Sequence, residues 1–88
     1  MFVEKKLDFP HNLKMKEKNS IFLTKLGSQI LQIRQSKSLS QEDVSFRCDV
    51  DRAKISKLET GSANCNITTL AELAKGLDVT LKELLDFS

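Results

Sequence analysis

The stretch Gln41–Glu59, QEDVSFRCDVDRAKISKLE, decides how this chain reads. Ser40, directly before it, offers a side-chain oxygen to cap a helix, and Glu42 and Asp43 place negative charge in the first turn, where the peptide dipoles favour it. The helix begun there runs to about Cys48. After a short break at Asp49 and Val50, Asp51 supplies another N-cap, and a second helix reaches Glu59 or Thr60 before Gly61 stops it. Two short helices joined by so tight a turn cross at a large angle around Val44, Cys48, Val50, Ile55 and Leu58. The outer face of the second helix is left free. It carries Arg52, Ala53, Lys54, Ser56 and Lys57, with no acid before Glu59.

A small, basic helix face projecting from a compact support suits the major groove of B-DNA, where an arginine donates two hydrogen bonds to guanine. A solvated charge run on any exposed helix has the same composition, so charge alone leaves both readings open.

Outward from this stretch the periodicity stays helical. Phe22, Leu26, Ile30 and Ile33 share one face of a helix beginning near Ser20 and ending near Ser36–Ser38. Asn66 caps a fourth-position helix whose stripe is Ile67, Leu70, Ala71, Ala74 and Leu77, with Gly76 near its end. Thr80 and Glu83 have the spacing of a capping box for a last helix, which buries Leu81, Leu84 and Leu85. The expected fold is all-α, with five short helices over residues 20–88. Residues 1–19 differ: they hold five lysines, three acids and the only proline, and read as an N-terminal extension, a partly ordered arm.

Composition excludes other classes. Eighty-eight residues can bury about 64% of the unfolded chain's surface, enough for one small core. Trp and Tyr are absent, which leaves little for single-strand or RNA binding through stacked aromatics. No apolar run approaches the eighteen or so residues of a membrane span, and the leader has no signal-peptide pattern, so a cytoplasmic protein is expected. Cys48 and Cys65 with one histidine, His11, make neither a disulfide framework nor an ordinary zinc site. No nucleophile–base pair can be named, so neither an enzyme nor a cofactor or metal is expected.

The segment Leu26–Phe87 resembles the helix-turn-helix domain of the Xre/Cro/C1 family of bacterial and phage transcription regulators, which includes the lambdoid phage repressors. The residues that carry the resemblance are IRQSKSLSQEDVSFRCDV, DRAKISKLETG and NITTLAELAKGLDVTLKELL, in unbroken register. The resemblance implies a lambda-repressor-like fold with helices 2 and 3 as the helix-turn-helix. It puts Gln41 on a DNA phosphate, Arg52, Ala53 and Lys57 at base-reading positions, and Lys54 and Ser56 on phosphates or flanking bases. Ser62 and Asn64 match a loop that approaches the DNA backbone. Arg34 and Glu59 match a structural ion pair between helices 1 and 3.

Three departures stand out: Asp49 sits where the family has Gly and would need a left-handed conformation, Ser45 replaces a small Ala, and Cys65 replaces a common Pro. The net charge of +2 comes from the leader, since the rest of the chain holds nine cations and nine acids. Affinity therefore has to come from charge localised on helix 3 and from two copies. The resemblance implies a homodimer on a pseudo-palindromic operator, with half-sites ~34 Å apart. It places the dimer surface at Val79, Leu81, Leu84, Leu85 and Phe87, residues that core burial in the protomer would also explain. The expected function is a sequence-specific double-stranded DNA-binding repressor or autoregulator. In size it is close to restriction–modification controller proteins. The alternative is an antitoxin-type or other interaction module that binds a protein partner such as a toxin.

Overall fold

The computed structural model describes residues 14–87, which form five helices and no strand: α1 (Met15–Ser36), α2 (Gln41–Phe46), α3 (Arg52–Glu59), α4 (Ile67–Gly76) and α5 (Leu81–Leu84). Four of the five starts are capped as their sequences dictate. Ser40 Oγ accepts from the Asp43 N–H at 2.9 Å, Asp51 Oδ1 from Lys54 at 2.7 Å, Asn66 Oδ1 from Thr69 at 2.8 Å, and Thr80 Oγ1 from Glu83 at 3.0 Å. At Ser40 and Thr80 the acid returns the bond to the cap's own N–H, closing a capping box.

Helix α1 differs from expectation, starting at Met15 and not near Ser20. The Glu17 carboxylate accepts from the Lys14 N–H at 3.0 Å, and Met15–Lys18 are straight-chain residues that lose little freedom in a helix. The rest of the expected arm, residues 1–13, lies outside the described residues.

Three helices end in Schellman turns, in which two N–H groups past the end bond back to carbonyls of the last turn. For α3 the left-handed residue is Gly61, at φ 75°. For α1 and α4 it is Ser38 (φ 57°) and Asp78 (φ 58°). Asp49 is not among the positive-φ residues, so the cost expected at the turn between α2 and α3 is not incurred. The Asp49 N–H instead donates to Glu72 Oε1 of α4 at 3.0 Å, which pins the turn.

The core gathers Leu26 and Ile30 of α1, Val44 of α2, Val50, Ile55 and Leu58, Leu70, Leu73, Ala74 and Leu77, and Leu84 of α5. Cys48, expected among them, is half-buried. The stripe of α4 is rotated from the expected one: Leu73 is fully buried, while Ala71 is exposed and Ile67 is 59% exposed. Ile67 opens the helix and has no earlier turn to lie against. Gly76 is the last residue of α4, as expected near its end, and it also lets α4 approach α2 and the turn beyond it, since a Cβ there would lie 2.8 Å from Cys48 Sγ and 3.2 Å from Val44 Cγ1. Phe22 and Phe87 pack with ring centroids 5.7 Å apart, tying α5 to α1.

Candidate nucleic-acid interface

Helix α3 is held against α1 by its buried Ile55 and Leu58. Gly27 makes the approach close: a Cβ there would lie 2.6 Å from the Glu59 carbonyl oxygen and nearer still to that of Leu58. Neither oxygen can move without moving α3. Composition and periodicity passed over Gly27, although a glycine inside a helical pattern is a signal of close backbone approach.

The carboxylate of Glu59 then locks the end of α3 to two other helices. Arg34 of α1 meets it through two hydrogen bonds, Nε to Oε2 at 2.6 Å and Nη2 to Oε1 at 2.9 Å, with side-chain exposures of 14% and 5%. The third guanidinium nitrogen, Nη1, donates to the Leu39 carbonyl at 2.9 Å. Gln41 of α2 adds its Nε2, 2.9 Å from Glu59 Oε1. The bonds from Glu59 push the guanidinium pKa up, beyond what desolvation takes away. One side chain therefore joins α1, α2 and α3. Gln41 keeps its second amide hydrogen for another acceptor.

Arg34, Ser40, Gln41, Glu42 and Arg52 line an open cleft of about 550 Å³ between the N-terminal ends of α2 and α3. On α3, Arg52, Ala53 and Lys57 are exposed, while Lys54 and Ser56 are half-buried. Lys54 Nζ donates to the Asn64 carbonyl at 2.6 Å. Ser62 Oγ donates to the Lys57 carbonyl at 3.2 Å and lies 2.7 Å from Thr60 Oγ1. Asn64 Oδ1 accepts from Asn19 Nδ2 of α1 at 3.4 Å. The role of Asn19 left no sequence signal, because its partner is 45 residues away.

At the other end of the molecule, Val79, Leu81, Leu85 and Phe87 are half-buried against the core. Leu84 is fully buried, so it belongs to the protomer's own core and not to a surface. Gln29 of α1, also without a sequence signal, clasps the end of α5 by donating to the Glu83 and Asp86 carbonyls at 3.1 and 3.3 Å. Among the described residues, no group of three or more His, Cys, Asp or Glu side chains could hold a metal ion, and no helix is long and apolar enough to cross a membrane.

Two crossed short helices supported by three others, with the second helix's basic face outward, define a helix-turn-helix protein. Residues 30–84 match the helix-turn-helix model HTH_3, and the chain belongs to that family, the Xre-type regulators. It is 43% identical over 63 residues to control protein C.BamHI of Bacillus amyloliquefaciens, covering 70% of this chain and 78% of the relative. It is 34% identical over 61 residues to control protein C.MunI of a Mycoplasma species, covering 68% and 82%. Its fold is similar to that of the restriction–modification controller protein C.AhdI from Aeromonas hydrophila, with a TM-score of 0.67, 34% identity, and coverage of 70% of this chain and 94% of that one. It is also similar to the controller protein C.Esp1396I in a tetramer with its natural 35 base-pair operator, with a TM-score of 0.65, 35% identity, and coverage of 73% and 95%.

Proposed function

We propose that this protein is a sequence-specific double-stranded DNA-binding regulator of transcription, acting as a homodimer at an operator that serves restriction–modification genes. The observation that carries the reading is the α3 face of Arg52, Ala53 and Lys57, exposed on a helix whose own end is locked by a part-buried ion pair. Arg52 donates two hydrogen bonds to a guanine, Ala53 meets a thymine methyl group, and Lys57, one turn on, reaches a further base. Phosphate contacts come from Gln41, Ser56 and the loop at Ser62 and Asn64, and they set the register in which the bases are read. The controller proteins matched above are regulators and not enzymes, and the site here has the chemistry of recognition and not of bond breaking. Their relation to this chain favours a restriction–modification context over that of an antitoxin.

The test is fluorescence-anisotropy titration against the DNA upstream of the protein's own gene and against a scrambled duplex, at two salt concentrations, with Arg52→Ala in parallel. The wild type prefers the upstream duplex, and Arg52→Ala loses that preference, a difference of about 1–3 kcal/mol for one bidentate contact. Equal, strongly salt-dependent binding of both duplexes by the wild type would mean that this DNA lacks its site or that binding is nonspecific.

A further inference from the structure

We propose that Lys54, which family position would place on DNA, is a positioning residue that holds the α3–α4 loop in shape. The inference rests on the DNA-binding reading above for its consequence, though not for its geometry.

Of the three cations on the outer side of α3, Arg52 and Lys57 are exposed, whereas Lys54 is half-buried and its ammonium lies 2.6 Å from the Asn64 main-chain oxygen. A charged donor to a carbonyl is among the stronger hydrogen bonds, and an ammonium drawn out to a phosphate would give this one up. The loop needs the bond. From Ser62 to Asn66 the chain has no regular structure, and past the Ser62 N–H, which ends the α3 turn on the Lys57 carbonyl, its main-chain N–H groups make no backbone hydrogen bond to another described residue before α4. Ala63 and Cys65 rest half-buried on the core, and between them side chains hold Asn64: Lys54 donates to its main-chain oxygen from one side, and Asn19 Nδ2 to its side-chain Oδ1 from the other. Asn64 is thus a node between α1, α3 and the loop. Its shape is inherited from α3, so whatever the loop presents to the DNA backbone moves in register with the bases that Arg52 and Lys57 read.

Neutral loop contacts and a lysine–phosphate contact differ in a measurable way. Each cation placed on a phosphate adds about 0.9 to the slope of log affinity against log salt, whereas a positioning lysine adds nothing. Lys54→Met keeps the aliphatic stem and removes the charge. In the free protein, 15N relaxation should show the order parameters of Asn64 and its neighbours falling from the rigid range near ~0.85 toward ~0.6, while those of the five helices hold. On the operator, affinity should fall about fivefold with the salt slope unchanged. Unchanged order parameters would overturn the proposal. A slope reduced by about 0.9 would also overturn it, by making Lys54 a phosphate contact. Lost preference at a single base pair would do the same, by making it a base contact. If the wild type bound no operator, the regulator reading would fail on its own, and the relaxation measurement would still decide the role of Lys54.

Discussion

Glu59 is the residue on which position and function meet. Its carboxylate accepts from Arg34 twice and from Gln41 once, so removing it leaves a largely buried guanidinium without its counter-charge. Breaking such a part-buried, bidentate pair from one side costs about 1–3 kcal/mol, more than a surface pair is worth. Glu59→Ala is therefore expected to lower the thermal midpoint and the operator affinity together, since the same bonds hold the fold and set the angle of α3. Calorimetry and anisotropy on one preparation check this, and lost binding at an unchanged midpoint would separate the two roles and refute the placement. The neighbouring roles were unequally legible. The Asp51 cap sets Arg52 and Ala53 in the first turn of α3, because a cap numbers the residues after it, whereas their base-reading roles are what the family resemblance implies. The partner of Lys54 could not be placed, because it lies across a loop whose path no local rule sets.

At the scale of the element, the helix starts are chemical statements that pH can probe. The N–H groups at Ser40, Asp49 and Thr80 hold the carboxyls of Asp43, Glu72 and Glu83 below their ordinary values of 3.8, 4.5 and 4.5. For each, the backbone bond is the first cause, joined by a side-chain bond from Ser40, Lys75 and Thr80 respectively. A carboxyl whose folded pKa is depressed stabilises the fold above its unfolded pKa, and that stability is lost as pH falls through the folded value. The thermal midpoint should stay level from neutral pH to about pH 5 and decline below about pH 4.5. The triple variant Asp43→Asn, Glu72→Gln, Glu83→Gln should flatten the decline, and an equally steep acid limb in that variant would show that the two capping boxes and the Glu72–Asp49 bond do not cause it.

Between elements the lessons diverge. Ser40, Asp51, Asn66 and Thr80 announced their helices because capping is local. The stripe of α4 misled at Ile67 and Ala71 because periodicity finds an apolar arc without saying which edge of it meets the core. Leu73, on the edge that does, is fully buried, and α4 packs on α2 and α5, whose placement no window along α4 contains.

For the molecule as a whole, charge sets the terms. With nine cations and nine acids outside the first nineteen residues, that part of one protomer has little general attraction for DNA, and the regulator proposed above therefore calls for two copies bound side by side. Val79 and Leu81 flank the start of α5, are half-buried in the protomer, and are the residues we expect a second copy to cover. Sedimentation velocity at micromolar concentration should find a dimer. Val79→Glu with Leu81→Glu should yield monomers that keep their helical spectrum and bind the operator at least tenfold more weakly. A wild type that remains monomeric while filling both half-sites would refute the dimer. Leu84→Ala acts differently: the residue is fully enclosed, so the change should cost about 2–5 kcal/mol of stability.

The sequence by itself determined that the described chain would be five helices, where four of them start, that Gly61 stops α3, and that α3 turns Arg52, Ala53 and Lys57 outward, though not that Lys54 and Ser56 are half-buried. Those features depend on neighbours three or four residues away, which caps, helical period and a left-handed glycine encode directly. The tertiary structure alone decided that Gly27 is the seat of α3, that Gln41 joins the Arg34–Glu59 pair, that Lys54 turns to Asn64, and that Leu84 is core. Each of these is a meeting between distant segments. Their outcome is set by packing volume and by the need of a buried polar group for a partner, and neither can be read from the residues on one side of the contact.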